Sequence, residues 1–355
     1  MAAERQAIAV DPASGAVHAD PLVHVLRGGH VESVHRGHIA VVDDRGRLLA
    51  WSGAPRVLVF PRSSFKPFQA LPLVESGAFA RSGLGSDALA LIAGSHSGTD
   101  LHVALARTIL AAAGADEGAL RCGTHPPYDE PTAEALRARG EAPTPIRHNC
   151  SGKHAGMLLF ARALGAPLAT YVDPSHPVQR RIFDRFASLV GEAFLDPTPA
   201  IDGCSAPTPR MPLQTLAYAF ALLAKGEEAA GKPLPALAEI RDAMRAHPEL
   251  VAGEGRLDTL LMRALPGAVT KAGAEGVHAT GIPERGIGIA VKIEDGTRRA
   301  LGPAVTSTLE GLGLIGERER LALAQHAGER LRNYAGIEVG AVRGVVKLQR
   351  GEGRS

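Results

Sequence analysis

The chain has 355 residues, 45% of them hydrophobic and 21% charged, a composition that builds a sizeable core and excludes wholesale disorder or a disulfide-stapled miniprotein. A formal charge of +2 and 4% aromatic residues give no electrostatic or base-stacking basis for nucleic acid or a membrane surface. Three cysteines cannot close a disulfide framework, so they are expected as thiols in a reducing, cytoplasmic compartment.

Residues 1–21 are small, Pro/Asp-rich and without period, and contain no apolar core of a secretory leader, so a loose tail is expected there. A single catalytic domain is expected over 22–348. In its first part, 22–60, Val23–Leu26, Val31–Val34, His38–Val42 and Leu48–Trp51 are short apolar runs separated by Gly28-Gly29 and Asp43-Asp44-Arg45-Gly46. That pattern predicts a β-meander. From 64 to 265 the apolar spacing becomes three or four, predicting helices at Ala88–Ala93, Leu101–Ala113, Ala155–Leu164, Val178–Phe194, Leu213–Ala224 and Leu257–Leu265. Strands return over 266–348: Ala268–Lys271, Gly288–Glu294 before the turn Asp295-Gly296, and Val339–Leu348. Glu317–Tyr334 reads as one charged amphipathic helix, and 349–355 as a second loose tail. No apolar run approaches the ~18 residues needed to cross a bilayer. Strands, helices, then strands predict an α+β fold whose antiparallel sheet joins the two ends of the domain, with the helical block between them. No βαβ alternation is present.

Three segments carry nucleophile chemistry. Arg62-Ser63-Ser64-Phe65-Lys66 follows a strand and opens a helix. At i and i+3, Ser63 and Lys66 share a face, and a lysine with a lowered pKa can take a serine proton. Ser64 is better placed as a helix cap. Gly94-Ser95-His96-Ser97-Gly98 sets hydroxyls on a glycine-flanked turn, and Val269-Thr270-Lys271-Ala272-Gly273 puts a lysine on a short strand. Taken alone, these read first as a capped helix with a solvated lysine, a helix-ending loop and an edge-strand lysine. Their order, Ser-x-x-Lys, Ser-x-polar, Lys-x-Gly, is that of penicillin-binding proteins and serine β-lactamases.

Two further segments carry soft ligands. Arg147-His148-Asn149-Cys150-Ser151-Gly152-Lys153-His154 places Cys150 and His154 four apart, and Asp202-Gly203-Cys204-Ser205-Ala206-Pro207 adds Cys204 or Asp202 from a remote loop. Thiolate, imidazole and carboxylate suit zinc, although no Cys-x-x-Cys pair marks the site. The plain alternative is a pair of buried free cysteines. Cys122 has no such companions and reads as packing.

Together, Pro61–Gln69, Gly94–Gly98, His148–Met157, Asp202–Pro207 and Lys271–Gly276 resemble the rhizobial-type (class 3) L-asparaginases over nearly the whole chain. The His-Asn-Cys-Ser-Gly-Lys-His-Ala-Gly run is the most specific of these. The resemblance implies hydrolysis of L-asparagine to L-aspartate and ammonia, a fold similar to serine β-lactamases and penicillin-binding proteins, and a homodimer. It implies two Ser-Lys units, Ser63 with Lys66 and Ser95 with Lys271, and zinc held by Cys150, Lys153 and Cys204. It also places Arg62, His154 and Asp202 beside substrate or the metal ligands. Lys153 thereby takes the ligand place that spacing alone gave to His154. Two departures stand out: Pro67, which restricts Lys66 toward extended angles, and Ala272, where the penicillin-binding pattern has threonine. The rival readings are a zinc-dependent amidohydrolase, a β-lactam-hydrolysing serine enzyme, and a non-catalytic amino-acid sensor.

Overall fold

The computed structural model describes residues 17–191 and 199–351. Of the tails expected over 1–21 and 349–355, residues 1–16 and 352–355 lie outside the described residues, as do the last three residues of the helix expected over 178–194.

The strands are β1 (Asp20–Arg27), β2 (His30–Asp43), β3 (Leu48–Ser52), β4 (Val269–Ala272), β5 (Val277–Ile282), β6 (Ile287–Ile293), β7 (Gly328–Arg332), β8 (Glu338–Gly344) and β9 (Gln349–Arg350). They form one antiparallel sheet of order β4-β5-β6-β2-β1-β8-β7, with β3 between β2 and β9. The two ends of the chain therefore interleave: Val41 of β2 faces Ile289 of β6, and Val25 of β1 faces Val342 of β8. This is the α+β sheet that the strand–helix–strand order predicted. Its limits are wider than expected, because β1 begins at Asp20 and Gln349–Arg350 pairs with Trp51 and Ala50. Both expected tails thus give up residues to the ladder, where backbone pairing holds them.

The central strands are buried on both faces, which is why they read as nearly continuous apolar runs. Side chains alternate between the faces. Ile39 and Val41 join one apolar cluster with Ile289, Val291 and the helix α9 (Arg298–Gly311). Ala40, Val42 and Ala290 join the other with α6 (Leu213–Lys225). The α6 face is made of small residues for a reason. A Cβ on Gly288 would lie 1.8 Å from the Ala217 carbonyl oxygen, so only glycine admits the helix at this spacing.

The helical block begins with α1 (Lys66–Glu75), α2 (Ser86–Ile92), α3 (Asp100–Ala112), α4 (Ser151–Ala163) and α5 (Pro177–Val190), and α7 (Pro235–Ala246) and α8 (Leu257–Ala264) follow α6. The helix expected over Glu317–Tyr334 is not continuous. Two short helices, Glu317–Ala322 and Ala324–Ala327, end at Gly328, where the chain turns into β7. The mixed charges of Glu329, Arg330 and Arg332 suit an edge strand that must resist pairing with other chains. Sheet pairing with β8 overrides the helical pattern. Among the described residues no helix is long and apolar enough to cross a membrane.

Candidate active site

A short 3-10 turn, Arg62–Phe65, leads into α1. It is anchored from below by Phe65 and Phe68, whose ring centroids lie 4.8 and 5.2 Å from that of Phe186 on α5. Ser64 is buried and its hydroxyl donates to the Pro61 carbonyl at 2.6 Å, so it locks the turn rather than capping the helix. Arg62 has φ 52°, a left-handed conformation costing a non-glycine residue about 1–3 kcal/mol. Lys66 stays helical at φ −58°, ψ −39° despite Pro67, because its side chain is fixed from the other end.

That end is a small polar cage. The buried Lys66 amine donates to the Gly94 carbonyl at 2.6 Å, to Ser95 Oγ at 2.8 Å and to the Asn149 carbonyl at 3.3 Å. Burial pushes its pKa below the usual lysine range, against the pull of the Cys150 thiolate. Ser95 itself is fixed on both sides: its N–H donates to Val251 O at 2.6 Å, and its carbonyl accepts from Arg256 Nη1 at 2.8 Å. Ser63 is half-buried, and among the described residues its hydroxyl makes no hydrogen bond. The expected couplings therefore differ from the structure. Lys66 bonds Ser95, not Ser63, because Ser95 arrives on the loop after α2 at the place where the amine ends.

Lys271 lies fully buried on the edge strand β4 and donates to Ala272 O at 2.8 Å and Asp258 Oδ2 at 3.4 Å, with no bond to Ser95. Burial lowers its amine to about 8, although Asp258 opposes the shift. Asp258 also accepts from the Ala272 N–H at 2.9 Å and meets His278 Nε2 at 3.2 Å. Burial would raise the Asp258 carboxyl, but Lys271, His278 and the Ala272 N–H together hold it well below its ordinary value. The glycine after the lysine has a steric purpose. A Cβ on Gly273 would sit 2.5 Å from Pro61 O, so glycine lets β4 pass close against the turn bearing Ser63.

Ser63, Ser95, Asn149, Asp258, Ala272 and Gly273 help to line one cavity of about 240 Å³. Tyr128 stands at the same cavity between two guanidiniums, Arg256 at 5.3 Å and Arg298 at 4.9 Å from its ring centre. A larger groove of about 420 Å³ lies elsewhere, between residues 317–330 and β8, and holds no serine, cysteine or lysine. Sequence reasoning missed Asp258, His278, Arg256, Arg298 and Tyr128. Asp258 in the first turn of α8 looks like an ordinary helix-start acid, and nothing local shows that tertiary packing buries it.

The third group meets behind Lys66. Lys153 Nζ donates to Cys204 Sγ at 2.8 Å, Cys204 Sγ lies 3.5 Å from Asp202 Oδ2, and Asp202 pairs with Arg62. A hydrogen bond from Cys204, reinforced by Lys66 and Lys153 against burial, drives the Cys150 thiol well below its usual value. The same bond, with burial, pushes Cys204 up. Burial would lower Lys153, but Cys204 and Cys150 push it up. Burial lowers His154 to about 4, although Cys204 opposes the shift; its Nδ1 meets Tyr171 Oη at 2.6 Å, and its Nε2 makes no hydrogen bond among the described residues. All three cysteines are free and buried. Among the described residues, no three His, Cys, Asp or Glu side chains are placed to hold a metal ion, so a metal here needs the Lys153 amine as a ligand. The donors fit zinc in kind: two sulfurs, an amine and an unpartnered buried imidazole nitrogen.

Two hydroxyls on one cleft, with buried amines behind them, can supply an activated serine nucleophile. The family model of L-asparaginase II matches residues 23–344. The chain belongs to the L-asparaginase II family. No curated protein matches it. Solved structures similar to it include Mglu in its native form (18% identity, 79% of this chain, 64% of that one, TM-score 0.46). A putative β-lactamase from Bacteroides dorei (12%, 77%, 93%, 0.40) is a second. The Bacillus subtilis glutaminase YbgJ in covalent complex with 5-oxo-L-norleucine (14%, 78%, 88%, 0.38) is a third. The chain spans 64% of the length of Mglu.

Proposed function

We propose that this protein hydrolyses the side-chain amide of L-asparagine, releasing L-aspartate and ammonia, by a serine–lysine mechanism. The observation that carries the reading is the Lys66 amine at 2.8 Å from Ser95 Oγ, in the wall of a cavity that Ser63 also lines. A neutral amine has two N–H donors and one lone pair. In that form the Gly94 and Asn149 carbonyls occupy the two donors and the bond to Ser95 reverses, its hydroxyl donating to the lone pair. Burial favours that neutral form.

Ser63 Oγ attacks the amide carbon, and its proton passes through the Ser95 hydroxyl to Lys66. The C–N bond breaks as the Lys271 ammonium protonates the departing nitrogen. Water then attacks the ester and gives its proton to neutral Lys271, while Lys66 returns the first proton to Ser63. Among the described residues Arg256 and Arg298 form no salt bridge with a carboxylate, and they are the cavity's complement to the substrate α-carboxylate. Cys150, Lys153 and Cys204 would hold zinc, with His154 and Asp202 beside them. Bound there, the ion supplies a fixed positive charge that stiffens the wall behind Lys66.

A second reading makes Ser95 the nucleophile, favoured by its direct bond to Lys66. A diazoketone analogue of asparagine, followed by peptide mass mapping, distinguishes the two. The expected adduct is on Ser63, with ammonia release lost in Ser63→Ala. An adduct on Ser95 establishes the second reading. Label on neither residue, with both alanine variants still active, refutes the serine mechanism. Turnover of a chromogenic β-lactam, or stabilisation by asparagine without ammonia release, would turn the assignment to the rival enzyme or to a sensor.

A further inference from the structure

Asp258 is the one acidic side chain lining the cavity among the described residues, and it is only 1% exposed. It stands in the first turn of α8 and reaches across to β4. There Oδ2 holds both the Lys271 amine and the Ala272 N–H, and Oδ1 meets His278 Nε2. Thr270 Oγ1 supports the same imidazole at 2.8 Å, so the carboxylate is fixed from three directions.

We propose that Asp258 is the positioning residue that fixes Lys271 under the cavity and holds its proton there, so that Lys271 serves as the acid. The inference rests on the amidohydrolase reading above and concerns its acid. Lys66 bonds neutral oxygens, with the Cys150 sulfur also against it. Lys271 touches a carboxylate. The charged groups facing Lys271 are Asp258, Lys66 and Arg256, with His278 beyond the carboxylate. Arg256, and Lys66 when it carries its proton, disfavour a proton on Lys271, as does burial, and Asp258 alone among them opposes this. With Asp258 in place Lys271 titrates near 8, where both protonation states are accessible during a turnover.

The test compares wild type, Asp258→Asn and His278→Gln. Asparagine keeps an oxygen for the Ala272 N–H but removes the charge. Two readouts are taken: the pH profile of kcat/KM for ammonia release, and the titration of Lys271 by NMR of 13Cε-labelled lysine, assigned with Lys271→Gln. In Asp258→Asn the alkaline limb and the NMR midpoint both move down by about one unit or more, an approximately tenfold loss of kcat/KM near pH 9. His278→Gln keeps the charge and leaves both midpoints in place. Asp258→Glu, which displaces the charge without removing it, serves if Asp258→Asn fails to fold; it lowers kcat and keeps the midpoint within about half a unit. An unmoved midpoint in Asp258→Asn, or a shifted one in Asp258→Glu, overturns the proposal. Wild type that releases no ammonia but shows the NMR shift overturns the amidohydrolase reading and leaves the Asp258–Lys271 coupling standing.

Discussion

Lys66→Met is the most informative single substitution. Methionine fills nearly the same volume, so packing changes little, but the amine leaves behind the Gly94 carbonyl, Ser95 Oγ and the Asn149 carbonyl, acceptors at 2.6, 2.8 and 3.3 Å. An unpaired buried acceptor costs about 1–3 kcal/mol. Relief from burying an amine returns part of this, so the net loss should be about 2 kcal/mol, a fraction of the usual ~5–15 kcal/mol of fold stability. The chemical loss is larger. Removing a general base costs about 10²–10⁴ in rate, or roughly 3–5 kcal/mol of barrier. Steady-state ammonia release measures the second effect, and denaturant unfolding the first. A variant that keeps turnover within tenfold of wild type would refute the assignment of Lys66 as base. A variant that unfolds would instead be replaced by Lys66→Gln, which retains donors for the two carbonyls.

Gly288→Ala should destabilise by about 2–4 kcal/mol, because its Cβ would fall 1.8 Å from Ala217 O; equilibrium unfolding checks this, and wild-type stability would refute the account of α6 packing. His38 is buried, accepts the Ala54 N–H at 3.0 Å and is lowered by burial to about 4. Its unfolded value is about 6.5, so the unfolded chain binds the extra proton between these limits. Stability is therefore full above pH ~6.5 and falls by up to about 3 kcal/mol as pH approaches 4. His38→Gln should flatten that slope, and parallel profiles would count against it. Cys204→Ser should lower bound zinc per chain after equilibration with the ion, measured by elemental analysis. If metal-stripped enzyme loses all turnover at saturating asparagine, the zinc-dependent reading displaces the serine one.

Much of the architecture was legible because period and turn chemistry are local. The runs at Val23, His38 and Gly288 became strands, and Leu101, Ala155 and Leu213 began or fell within helices near their expected limits. The segment after Glu317 misled because an edge strand and an exposed helix tolerate the same charged residues; pairing with β8 decided between them. Likewise Val31–Val34 and His38–Val42, read as two runs, form one fourteen-residue strand, since a strand can continue through polar residues where its sheet is exposed.

The sequence by itself determined which chemical groups are present and on what kind of element: Ser63 and Lys66 at a helix start, Ser95 on a glycine-flanked loop, Lys271 on a strand, Cys150 and Lys153 one turn apart. It did not determine who touches whom. Lys66 meets Ser95 across 29 positions and Lys271 meets Asp258 across 13. Such contacts depend on how α1, α2, α8 and β4 pack, and on glycines 273 and 288 that let backbones approach. Spacing along the chain encodes periodicity within an element, whereas proton transfer depends on distances of about 3 Å between elements, which only the packed core sets.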